Sequence, residues 1–301
     1  MPAPARALSG AAFATLLLIA LMMGANHVSA RIAFNHGTDV ATAVLVRSSV
    51  TALVLVLLLV LQGVRPQLTP HHKRFLPLIG LLVGVQSLCL YASVARLPVA
   101  LALLAFNTYP ITTAAWAAVL YRQWPERAML IAMPVILVGL ALALDVFGAA
   151  SGLGAAGQWA RIGAGVAFAL GASAAFGLVL VLMQHETAGV DGRVRTASSM
   201  GMAALVALGT IGFQGGVQLP ADAIGWGGLA ALTFLYGTGL TMMFTALPRL
   251  GVVGNSAIMN VEPVFALVLA WLVLGQSIAP IQVVGALVVV GAVMALGLRK
   301  G

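Results

Sequence analysis

Glu262 is the acidic residue set deepest in an apolar stretch of this chain, thirteen positions after Arg249 and fourteen before Gln276. A carboxylate at the centre of a membrane helix costs about 2.5–3.5 kcal/mol on insertion scales. Something must compensate for it: an arginine partner, a proton taken up by the carboxyl, or the ammonium group of a bound molecule. His27, between Asn26 and Ser29, has an ordinary pKa of about 6.5 and either answers proton supply or simply bonds a neighbouring helix. Arg47 lies about eight residues into an apolar run; it either snorkels outward as an anchor or faces inward, to pair with Glu262 or attract a carboxylate. Arg31, just past the first apolar run, reads as an interface anchor. Tyr91, Tyr109, Tyr236 and Trp271 either wall an apolar ligand or pack. In Asn107-x-x-Pro110 and Asn260-x-x-Pro263 the proline cannot donate to the carbonyl four residues back, which frees the oxygens of Phe106 and Met259. Unwound backbone at membrane depth is tolerated where it is buried in protein or lines a watery cavity. The two kinks therefore either find partners on adjacent helices or flank a bound molecule.

The elements that must carry these residues follow from composition. Hydrophobic residues make up 61% of the 301 and charged residues 7%, with a mean hydropathy of +1.08; a soluble domain carries roughly 25% charge. Apolar runs of about 20 residues follow one another, each long enough to cross roughly 30 Å of hydrocarbon as a helix. Their approximate spans are Gly10–Ala30, Asp39–Val60, Leu76–Val94, Leu97–Leu120, Ala128–Phe147, Ile162–Met183, Ala197–Val217, Ile224–Leu247, Val252–Leu274 and Ile281–Leu298. With the N-terminus in the cytoplasm, the inner segments hold Arg6, Arg65, Lys73, Arg74, Arg122, Arg127, Arg193, Arg195, Arg249, Arg299 and Lys300, and the outer loops only Arg31, Arg96 and Arg161. This asymmetry puts both termini inside. An alternative for the first run is a secretory signal peptide, with Arg6, the apolar stretch 11–23 and Val28-Ser29-Ala30 as a cleavage site.

Setting each residue against the one 153 positions later aligns Arg96-Leu97-x-Val99 with Arg249-Leu250-x-Val252, Asn107-x-x-Pro110 with Asn260-x-x-Pro263, and Gln123 with Gln276; Gly84 meets Gly237 and Tyr91 meets Phe244. The expected fold is all-α and integral to the membrane, with residues 1–150 and 151–301 as two five-helix repeats. Five crossings is an odd number, so the second repeat is inverted relative to the first. Gly24-Ala25-Asn26 with Arg31, Arg47, Tyr91 before the Arg96-Leu97 turn, Pro110, and Asn260-x-Glu262-Pro263-Val264-Phe265 resemble, in order and spacing, the ten-helix EamA-repeat branch of the drug/metabolite transporter superfamily. The resemblance implies a basket of helices around a central cavity, the fifth and tenth helices at its periphery, and transport of small metabolites, often outward and often of neutral or aromatic amino acids. The chain departs from the family pattern at Met23 (often Trp), at His27 (aromatic or aliphatic), and at Gln123 and Gln276 (usually Glu).

Enzyme and scaffold readings lack support in the residues. There is no Walker loop, no strand-linked GxGxxG, no HExxH and no GxSxG. Cys89, the single cysteine, reads as a packing residue, and His71-His72 as a solvated or lipid-facing pair. The net charge of +8 is spread over short loops rather than one basic face, so nucleic acid is not an expected partner. The expectation is a monomeric secondary transporter in a bacterial inner membrane, with no cofactor, metal or catalytic set. Its partners are lipids, a small molecule and, as a candidate coupling ion, the proton. The candidate contact residues are Asn26, His27, Arg47, Tyr91, Asn107, Tyr109, Tyr236, Asn260 and Glu262, with kinks at Pro110 and Pro263. Uptake or exchange of an organic anion or phosphorylated metabolite, drawn by Arg31 and Arg47, is the competing expectation.

Overall fold

The computed structural model describes residues 10–64, 66–125, 127–250, 261–277 and 279–298. All regular elements among them are helices: α1 Gly10–Asn35, α2 Val40–Leu61, α3 Pro70–Arg96, α4 Val99–Phe106, α5 Tyr109–Tyr121, α6 Arg127–Ala143, α7 Gly154–Glu186, α8 Gly192–Gln214, α9 Ala223–Leu250, α10 Glu262–Leu274 and α11 Pro280–Leu298. Seven segments are long and apolar enough to cross a bilayer, with α4 and α5 counting together as one; the apolar parts of α6, α10 and α11 are shorter.

Local chemistry explains several boundaries. Asp39 accepts the amides of Ala41 and Thr42 at 3.1 and 3.2 Å and so starts α2. Thr69 and His72 form a reciprocal cap on α3, with Pro70 in its first turn, where a missing amide costs nothing. The sequence expects one kinked helix over 97–120; regular α-helix is interrupted at Asn107 and Thr108, which keep turn bonding through the Asn107 amide to the Leu103 carbonyl at 2.8 Å, and resumes at Tyr109 with Pro110 in the new first turn. A proline suits a first turn better than a helix interior, so the kink becomes a stop and a start. Pro263 occupies the same place in α10. The helix ends match too. Arg122, which ends α5, has φ 55°, and Gly275, which ends α10 153 positions later, has φ 64°, both left-handed.

The helices pack in pairs that correspond across that offset. α3 lies on α7 as α1 lies on α9, while α2 packs on α8 and α6 on α11. Small residues allow the closest approaches: a Cβ on Gly139 would come within 3.0 Å of the Gly285 carbonyl oxygen, and one on Gly285 within 2.5 Å of that of Gly139. The largest apolar core joins α1, through Val28, with α3, α4, α6, α7, α10 and α11. Half-buried Cys89 packs against it as a free thiol. Val28-Ser29-Ala30, the small-residue stretch of the alternative signal-peptide reading, lies buried inside α1.

Candidate functional site

One joint assembles most of the candidate residues. A Cβ on Gly24 of α1 would lie 3.1 Å from both the carbonyl oxygen of Glu262 and the amide of Ala266, so α1 seats directly on the first turn of α10. Three residues on, along the same helical face, His27 brings Nε2 to 3.3 Å from Glu262 Oε1. The His27 side chain is 5% exposed and that of Glu262 24%, so the carboxylate is the more accessible of the two. Glu262 is the first residue of α10, where unpaired amides and the helix dipole favour negative charge. A helix N-terminus and a histidine thus stand beside the carboxylate, and no arginine pairs with it among the described residues. An acidic residue followed by a proline is a first-turn signal that the expected span Val252–Leu274, with its kink at Pro263, does not use. Buried Nδ1 of His27 has no hydrogen-bond partner, so Nε2 is the ring nitrogen that engages Glu262.

Behind this pair stands a chain of hydrogen bonds with one sense. Arg47 donates through Nη1 to Tyr91 Oη at 3.1 Å and through Nη2 to Ser87 Oγ at 2.9 Å. Tyr91 donates to Asn26 Oδ1 at 2.7 Å, and Asn26 Nδ2 to the Met23 carbonyl at 2.9 Å. Ser87 and Tyr91 are one turn apart on α3, which is why both reach the same guanidinium. The Arg47 Cζ lies 4.7 Å from the Tyr91 ring centroid and 3.9 Å from that of Tyr236, so two aromatic faces hold the cation. The His27 ring meets Tyr91 edge-on at 5.7 Å.

Several expectations are corrected here. Arg47 is 3% exposed and does not snorkel; its two bonded partners and two rings draw it inward, and no carboxylate pairs with it among the described residues. Arg31 lies within α1, not beyond it, and donates to the carbonyls of Val94 and Leu97 at 2.6 and 3.2 Å, closing the end of α3. Trp271 is 62% exposed and belongs to no wall of the site. His71, 55% exposed, nevertheless pairs with Glu186 at 2.7 Å, and Tyr121 donates to the same carboxylate. Asn107 closes α4 through its own amide. Tyr109 meets Phe106 tilted at 5.6 Å and Phe176 edge-on at 5.1 Å between centroids, and lies within electrostatic range of Glu262. Asn260 lies outside the described residues. Ser87 carried no signal in the sequence, because a serine in an apolar helix gives none.

The fold and site define a polytopic helical membrane protein with a buried, chargeable centre. The sequence profile of the EamA-like transporter family matches residues 9–144 and again 163–298, and the chain belongs to that family, hence to membrane transporters of the drug/metabolite type. One solved crystal structure, described only as that of a protein, is similar in fold, with a TM-score of 0.64 at 18% identity over 94% of this chain and 98% of the other. No curated protein matches the chain.

Proposed function

We propose that the chain crosses the bacterial inner membrane ten times as two inverted halves, residues 1–150 and 151–301, with both termini in the cytoplasm. In that arrangement it exports small metabolites, foremost neutral and aromatic amino acids, by alternating access. The corresponding helix pairs, the matching ends at Arg122 and Gly275 and the basic loops support the layout.

The observation that carries the reading is the Glu262–His27 pair. Glu262 can face a proton, the His27 ring or an ammonium group, and only one of these satisfies it at a time. An amino acid whose ammonium group takes the carboxylate displaces the interaction with His27, and protonation of Glu262 releases the ammonium. Export driven by substrate gradient, protons or potential needs no nucleotide site; each charge moved through 100 mV supplies about 2.3 kcal/mol. Tyr91 and Asn26 hold His27 and Arg47 in register around that exchange. The competing reading, organic-anion uptake through Arg47, is less favoured because its guanidinium is enclosed by Tyr91, Ser87 and Tyr236.

Counterflow of an amino-acid panel in proteoliposomes tests this directly. Wild type is expected to exchange at least one neutral amino acid, with a pH dependence that Glu262→Gln abolishes. Exchange of organic anions alone, or an unchanged pH profile in Glu262→Gln, would overturn the assignment.

A further inference from the structure

The α3–α8 and α2–α9 seams are counterparts: Pro70, which opens α3, stands 153 positions before Ala223, which opens α9, and Gly84 corresponds to Gly237. They are packed differently. At α3–α8, a Cβ on Gly80 would meet Met202 Cβ at 2.6 Å, and one on Gly84 would meet Val206 Cβ at 2.9 Å. At α2–α9, a Cβ on Gly237 would find only Thr51 Oγ1, at 3.4 Å. The space left is a groove of about 660 Å³ walled by Val46, Val50 and Val54 of α2 and by Trp226, Phe234 and Thr238 of α9, among others.

The shape and chemistry of the groove select its occupant. It follows α9 from Trp226 to Met242, about 24 Å at 1.5 Å per residue and most of the roughly 30 Å of hydrocarbon. Val50 and Phe234 are 42% and 67% exposed, so the groove is open at the surface of the helix bundle. The hydroxyls of Thr233 and Thr241 are bonded to the carbonyls of Leu229 and Gly237 on their own helix. The buried hydroxyl of Thr51 has no hydrogen-bond partner and is the one polar group at the floor of the seam shown to be unanswered among the described residues. The walls are therefore predominantly apolar. A zwitterionic metabolite placed here would leave its charges in hydrocarbon, while an empty groove would forfeit dispersion contacts along both helices.

We propose that this groove binds one acyl chain of a bilayer phospholipid, laid along α9, in the seam that Met202 and Val206 fill on the opposite side. The test places full-length protein in nanodiscs of phosphatidylcholine, a fraction of which carries a diazirine midway along one acyl chain, and maps photoadducts by peptide mass spectrometry. Adducts on the groove segments of α2 and α9 are expected to be several-fold denser than on Leu205 and Leu208, which lie exposed on α8. Equal density overturns the site. Gly237→Leu fills the groove from the protein side and should bring its labelling down to the α8 level; Thr238→Trp does so independently if the first variant fails to fold. An excess that survives in a folded variant overturns the proposal, as does an excess displaced by a transported amino acid, which would make the groove part of the substrate path.

Discussion

Gly24 and Gly177 stand 153 positions apart and perform the same task on different chemistry. Each lets a long helix lie against the first turn of a short one: Gly24 against Glu262 and Ala266 at the start of α10, Gly177 against Thr112 and Thr113 in α5, where a Cβ would come within 2.7 Å of the Thr113 amide. Around Gly177 the contacts are neutral and fully engaged. Thr108 Oγ1 and Ser173 Oγ share a bond at 2.9 Å, Thr112 donates to the Ser173 carbonyl at 2.8 Å, and the Trp116 indole donates to the Ala174 carbonyl at 3.0 Å. Around Gly24 the equivalent place holds Glu262 and His27, a carboxylate and an imidazole 3.3 Å apart. Tyr109 occupies the position matching Glu262. Duplication supplied two joints; only one became chargeable, and the other is built to hold still.

The largest effect expected from this contrast is on transport. Glu262→Gln should lower amino-acid exchange by about tenfold or more, equivalent to at least 1.4 kcal/mol, whereas Tyr109→Phe should leave the rate within about twofold, both read by counterflow in liposomes. Equal losses would end the distinction between the joints. Next comes folding. Gly177→Ala forces a methyl onto backbone and should cost about 1–3 kcal/mol, with Gly24→Ala costing less because its nearest atoms lie at 3.1 Å; melting temperatures in detergent rank the two. Below these, Ser173→Ala removes the shared hydroxyl bond and should cost about 1 kcal/mol with transport unaffected.

The smallest expected effect lies outside both joints, at the exposed pair His36–Asp222, 2.6 Å apart. The Gly225 amide, and after it His36, hold the Asp222 carboxyl below its usual range. A depressed carboxyl contributes stability that is present above its unfolded pKa of about 3.9 and is lost as pH falls through the lower folded value. Asp222→Asn should therefore lower the melting temperature slightly at pH 7, with the difference from wild type shrinking as pH falls through the lowered folded range of the carboxyl.

Apolar runs and the 153-residue offset made the helices and their duplication readable, because hydrophobic length and repeated Pro and Gly positions survive in one dimension. The chemistry of Glu262 was readable as a cost that needed an answer. The answer was not: His27 lies 235 positions away in sequence, and only the close approach at Gly24 brings it within reach. Arg47 was ambiguous for a related reason, since outward and inward placements follow from the same position in a helix, and the choice was made by Ser87 and Tyr91 on α3.

The connection between the two copies has a mechanical consequence. Asp145 takes the amides of Ala150 and Ser151 at 3.1 and 2.9 Å, and Gln158 donates to the Leu144 carbonyl at 2.8 Å, so the chain from α6 to α7 is stitched to itself rather than slung between them. A tether folded this way has no slack to pay out. Relative travel of the copies must be taken up within their helices.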